Sequence, residues 1–206
     1  GAPLAALMAL WMKSLLIFIP LSLCFSFMTL FLYRHWAQKR LSMAREITRG
    51  MKNGQFTVHY QPVFNVSRAH CGGVEALMRW PLPDGSFITP DIFITAAENE
   101  GMIVPLSRHL FKLIAQDVER WQVAGDFYIS VNISPEHLVH ESFIADVESL
   151  LASLGKLRLM LELTERSLIV QPALVSDKLM QLREKGVLIA IDDFGTGYCS
   201  LSYLQQ

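Results

Sequence analysis

The chain has 206 residues, of which 51% are hydrophobic and 18% charged, with a formal net charge of −1 and a mean hydropathy of +0.31. That balance excludes a non-specific binder of DNA or RNA, because the basic residues form one local cluster instead of a broad positive surface. Cys24, Cys71 and Cys199 form no C-x-x-C pair, so a reduced compartment without a disulfide framework is expected.

The apolar excess lies at the start. From Ser14 to Tyr33 there is no charged residue, and about 20 such residues are enough to cross a bilayer as a helix. Pro20 would kink that helix, which membrane helices tolerate. Arg34, Lys39, Arg40, Arg45, Arg49 and Lys52 follow the run against one acid, Glu46. A signal peptide carries its positive charge before its apolar core, so the order here predicts a transmembrane helix with the following part in the cytoplasm. Tyr33 and Trp36 on one side and Trp11 on the other fit interfacial anchors. Residues 1–33 are therefore read as the transmembrane region and 34–54 as a juxtamembrane helical linker. The chain opens Gly1-Ala-Pro-Leu4, which reads as the tail of a longer protein with an exterior part ahead of the span.

Phe56–Phe64 alternates as a strand, with Pro62 placing it at a bend or an edge. Residues 72–80 form a second strand, ended by the turn Pro81-Leu-Pro-Asp-Gly85. Helices are predicted from Asp91 to Asn99 and from Pro105 to Val123, with Gly125 as the stop. Ser134-Pro135-Glu136 has the cap, proline and acid order of a helix start. Gly155 and Gly186 close the next two helices. His137 and His140 are read as a solvated helix face, not a ligand pair.

Three acid or amide side chains, Asn132, Glu162 and Asp192, stand 30 residues apart. Each closes a short apolar run: Phe127–Ile133, Leu157–Leu163 and Val187–Ile191. A strand and its crossover helix take about 30 residues, so the three groups should sit at equivalent heights on successive parallel strands. Oxygen ligands at one rim of such a sheet suit a hard divalent cation.

On the second strand, Glu75, Leu77 and Arg79 share one face and Val74, Ala76 and Met78 the other. Glu75 and Arg79 could hold a metal and a phosphate side by side, or form a structural ion pair; spacing leaves both open. Asp192 and Asp193 are adjacent carboxylates that repel each other unless a cation lies beside them. Gly195 and Gly197 allow the abrupt turn that brings both to one site. An Asx turn or a capped helix start is the plainer reading; four acids or amides on four strand ends favour metal.

These residues resemble the EAL domains, the bacterial cyclic di-GMP phosphodiesterases. The segment Val74-Glu75-Ala76-Leu77-x-Arg79-Trp80 looks like the family signature. Tyr60-Gln61-Pro62, Val131-Asn132-Ile133-Ser134, Leu161-Glu162-Leu163-Thr164-Glu165 and Asp192-Asp193-Phe194-Gly195-Thr196-Gly197-Tyr198 match its other strands in order. The resemblance covers roughly residues 44–206 and implies an α/β fold: a modified TIM (β/α)8 barrel with an antiparallel first strand, of which the first five strands are present. Residues 55–206 then form the N-terminal part of the domain.

The resemblance implies metal ligands at Glu75, Asn132, Glu162, Asp192 and Asp193, with Glu75, Asp192 and Asp193 catalytic, and dinucleotide contacts from Gln61, Leu77 and Arg79. Two Mg²⁺ or Mn²⁺ ions, about 3.5–4 Å apart, would activate a water for in-line attack, giving linear pGpG. It also implies a homodimer for the complete protein, at the bacterial inner membrane with its catalytic part cytoplasmic. Cys199 stands where the family commonly has serine. The family's later strands carry a lysine, further acids and a glutamine, and none is present before Gln206. A barrel of this class takes about 250 residues, so this chain is expected to be inactive alone. A catalytically inactive cyclic di-GMP receptor or protein-interaction module is the alternative.

Overall fold

The computed structural model describes residues 2–121, 123 and 127–192. It divides into two units, residues 1–43 and 44–206. One helix, α1 (Ala2–Lys52), takes up the first unit and enters the second, with Pro20 inside it. Large apolar side chains of its first part are exposed, among them Phe18, Leu23, Phe27 and Leu32. Among the described residues, no helix is long and apolar enough to cross a membrane. The span expected over Ser14–Tyr33 is therefore not found among them.

In the second unit, β1 (Thr57–Asn65) and β2 (His70–Pro81) form an antiparallel hairpin. A short β3 (Phe87–Ile88) pairs with the end of β2. Three parallel strands follow: β4 (Tyr128–Ile133), β5 (Arg158–Thr164) and β6 (Leu188–Asp192). The sheet order is β1-β2-β4-β5-β6. This is the expected first part of the barrel sheet, with an antiparallel first strand. Pro62 lies on β1, which among the described residues pairs with β2 alone, and the register slips between Val63 and Phe64. An edge strand tolerates the missing N–H.

Alternation along the strands separates two faces. On one, Val74, Ala76, Met78, Ile129, Val131, Ile133, Leu159, Leu161 and Leu163 are all buried. Helices α2 (Pro90–Asn99), α3 (Ile103–Val118), α5 (Phe143–Ser153) and α6 (Pro172–Glu184) supply Phe93, Ile114, Val147 and Leu182 to the same core. Each such side chain stabilises the fold by roughly 1.5–3 kcal/mol. The opposite face carries the polar residues and, apart from buried Gly73 and Ser130, stays half-buried or exposed.

Three helix predictions need correction. The helix expected over Pro105–Val123 begins at Ile103 and ends at Val118, and Gly125 lies outside the described residues. The helix starting after Ser134 is two helices, α4 (Pro135–Val139) and α5. The break is stabilised from afar: Lys178 Nζ on α6 donates to the carbonyls of Leu138 and His140, at 3.0 and 2.7 Å. These are the orphan acceptors of a helix end. Finally, His137 is not on a solvated face. It is fully buried, with Nε2 3.1 Å from Asp146 Oδ2. Gly155 and Gly186 do follow their helices, at φ 62° and 86°, where a side chain would be strained.

Candidate active site

Parity puts the expected site residues on one face. Gln61 lies opposite Glu75 in the hairpin. Glu75 is level with Ser130, Asn132 with Glu162, and Thr164 with Asp192. Residues level across a sheet share a face, so Gln61, Glu75, Leu77, Arg79, Asn132, Glu162 and Asp192 all point away from the helix-covered core. Asp193 lies outside the described residues, as do Gly195, Gly197 and Cys199.

The heights differ from expectation. Asn132 and Glu162 are level, but Asp192 stands two residues further along and Glu75 two residues short of Asn132. Equal spacing in sequence does not give equal register, because strands of a barrel are tilted and staggered. A shear of 8 over eight strands averages about one residue per strand, and this staircase has that order of size.

Two of the residues touch. Asn132 Nδ2 donates to Glu75 Oε1 at 2.6 Å, tying β4 to β2 beyond their last backbone pair, Ala76 with Val131. The amide oxygen of Asn132 is left as its ligating atom. Arg79 does not pair with Glu75; its Nη1 donates to the Met78 carbonyl at 3.0 Å. The structural ion pair is therefore excluded.

Glu162 is half-buried, and its pKa is raised. Desolvation is the largest cause, and the carboxylates of Glu75 and Asp192 raise it further, against a hydrogen bond from Ser130 that lowers it. The three acids thus feel one another across the face. Neither Glu75 nor Glu162 has a basic partner among the described residues.

No three His, Cys, Asp or Glu side chains among the described residues converge closely enough to hold a metal ion. The donors nevertheless fit a hard cation, being carboxylates and one amide oxygen on one face. A cavity of about 420 Å³ opens beside them, walled by Ile94 and Leu106 and edged by Arg79, Asn132, Glu162 and Thr164. That volume suits a small organic ligand.

Sequence reasoning missed Ser130 and Tyr128. Ser130 is fully buried and lies beneath Asn132 on the same face. Tyr128 packs on Gly73, where a Cβ would come within 2.7 Å of its ring. Both fall two and four residues before Asn132, so strand parity alone could have found them.

The EAL domain family model matches residues 44–206. The chain belongs to the EAL family. Among curated relatives, it is 42% identical over 171 residues to PdeN of Escherichia coli, a probable cyclic di-GMP phosphodiesterase, covering 81% of this chain and 33% of PdeN. It is 36% identical over 200 residues to PdeG of the same organism, likewise a probable cyclic di-GMP phosphodiesterase, covering 93% and 38%. Among solved structures, the PaMucR phosphodiesterase in complex with c-di-GMP superimposes with a TM-score of 0.72 at 33% identity, covering 80% of this chain and 68% of that one. The chain thus has the EAL fold and spans a third or a little more of the length of these two E. coli relatives.

Proposed function

We propose that the uncovered sheet face forms part of a cyclic di-GMP phosphodiesterase site. The observation that carries this reading is the placement of Glu75, Asn132, Glu162 and Asp192 on one uncovered face, with the Asn132 amide bound to Glu75. Oxygen donors on one face suit hard divalent cations, and Glu75, Asn132, Glu162, Asp192 and Asp193 would hold them as Mg²⁺ or Mn²⁺. When bound, the ions supply positive charge for the phosphodiester and acidify a water. The chain's own part is to bind and orient. Arg79 would swing from the Met78 carbonyl to a phosphate, with Gln61 and Leu77 against the dinucleotide. Its relatives among the probable cyclic di-GMP phosphodiesterases, and the PaMucR complex with c-di-GMP, support the substrate.

The test is hydrolysis of cyclic di-GMP to linear pGpG by the complete protein in Mg²⁺, with Glu75→Ala as the control. Turnover in the parent and none in the variant is expected; near-normal turnover in the variant would refute the assignment. Binding without hydrolysis would make the protein a receptor.

We further propose that the first part of α1 is a membrane anchor at the bacterial inner membrane, with the EAL part cytoplasmic. Exposed Phe18, Leu21, Leu23, Phe25, Phe27, Leu30 and Leu32 support it. So do Ser22 and Thr29, whose hydroxyls return to the carbonyls of Ile19 and Ser26, both at 2.9 Å, as polar groups in lipid must. Release of the protein from membranes by high salt alone would oppose this. The complete protein is proposed as a homodimer, which its sedimentation would check.

A further inference from the structure

Within the second unit, the last turns of α1 reach the strand that carries Arg79. Ile47 there is fully buried. Gly50 is buried too, and a Cβ placed on it would lie 2.9 Å from Phe56 Cε2, 3.1 Å from Trp80 Cζ2 and 3.2 Å from Gln55 Oε1. Real side chains do not approach so closely, so the helix backbone itself rests on the two rings. Glycine permits this contact because it has no Cβ.

Trp80 is the residue after Arg79 and points to the opposite, covered face. It is only 2% exposed. Its ring packs on Phe56 and Phe93, with centroids 4.6 and 5.9 Å away, and its indole N–H donates to Gln55 Oε1 at 3.4 Å. The circuit closes through the backbone: Gln55 N–H donates to the Gly50 carbonyl at 3.0 Å, and Thr57, next to Phe56, lies opposite Arg79 in the hairpin. Close-packed interiors transmit displacement instead of absorbing it.

We propose that the end of α1 is a positioning element for Arg79, acting through Gly50 seated on Trp80. A displacement of this helix end moves the Trp80 ring, and with it the strand segment from which Arg79 reaches the substrate face. Of the metal-holding residues, Asn132, Glu162 and Asp192 lie on other strands, and Glu75, although on β2, stands four residues back from Arg79, away from the Gly50 contact. This inference rests on the reading above, in which Arg79 holds the dinucleotide.

The experiment is steady-state hydrolysis of cyclic di-GMP by the complete protein and its Gly50→Ala variant. The added methyl should raise KM on the order of tenfold and change kcat by less than about twofold, because it displaces a binding group and not the reacting centre. The Mg²⁺ dependence should not move. Phe56→Leu removes the ring nearest the methyl and gives the Trp80 ring room to yield, so Gly50→Ala combined with Phe56→Leu should bring KM part of the way back to that of Phe56→Leu alone. Should Gly50→Ala not fold, Trp80→Phe withdraws the indole from the same contact and should raise KM alone. A lowered melting temperature with unchanged KM would make the contact merely structural and overturn the proposal. So would a KM effect that Phe56→Leu leaves in full. A parent protein that neither binds nor cleaves cyclic di-GMP would instead defeat the functional reading itself, and this inference with it.

Discussion

Asn132 reaches across from β4 to donate its amide N–H to Glu75 on β2, at 2.6 Å. The bond fixes which end of the amide faces outward, leaving oxygen for a cation. Asn132→Ala removes both the tie and the ligand. Loss of one metal-organising group typically costs 10–100-fold in affinity or activity. The complete protein should therefore need on the order of 10–100-fold more Mg²⁺ for half-maximal turnover, read from a Mg²⁺ titration; an unshifted titration would remove Asn132 from the site.

Glu162 sets a pH dependence. Its folded pKa lies above the ordinary 4.5, chiefly through desolvation. Between those two values the folded state binds more protons than the unfolded one, so this contribution to stability is full below about 4.5 and is lost as pH rises through the folded value. In metal-free buffer, Glu162→Gln should raise the melting temperature at neutral pH and flatten this part of the profile. Mg²⁺ should stabilise the parent far more than the variant. Equal stabilisation by Mg²⁺ would show that the ion binds elsewhere.

How much of this was legible in the sequence follows from which forces are local. The five long strands stand within a few residues of their apolar runs, because one face of each must alternate into the core, as Val74, Ala76 and Met78 do. Parity also placed Glu75, Leu77 and Arg79 together. The two-residue β3 is too short for any period to register. The break between α4 and α5 depends on Lys178, whose partners Leu138 and His140 are 40 and 38 residues away, and no local signal announces that. The even beat of Asn132, Glu162 and Asp192 gave the right face and the level pair Asn132 and Glu162, but misplaced Asp192 by two residues, since register follows strand tilt and not spacing along the chain.

His137 carries the opposite slope to Glu162. Burial holds its pKa below the ordinary 6.5, outweighing the pull of Asp146 that would raise it. The unfolded chain then binds the extra proton first, so stability falls as pH drops from 6.5 toward the folded value. Asp146 is itself held low; its desolvation is outweighed by hydrogen bonds from Ser142, Arg108 and His137, so its share is lost only below the ordinary 3.8. His137→Gln should remove the first slope and leave the second. Melting temperatures from about pH 3 to 7 would check both slopes, and a variant with the parent's slope between about pH 4.5 and 7 would refute it.

The two faces of the sheet give the last prediction, since leucines on each should fail differently. Leu161 is fully buried beneath the helices, and Leu161→Ala should cost about 2–5 kcal/mol of stability by opening a cavity. Where that variant stays folded, its KM should match the parent's. Leu77 stands on the uncovered face between Glu75 and Arg79 and lines the cavity. Already half-exposed, it has less burial to lose, so Leu77→Ala should cost under about 1.5 kcal/mol. Its effect should fall on cyclic di-GMP binding instead. Denaturant unfolding and titration calorimetry on both variants separate the two outcomes. If Leu77→Ala lost stability and kept its affinity, the uncovered face would be core left open and not a binding surface.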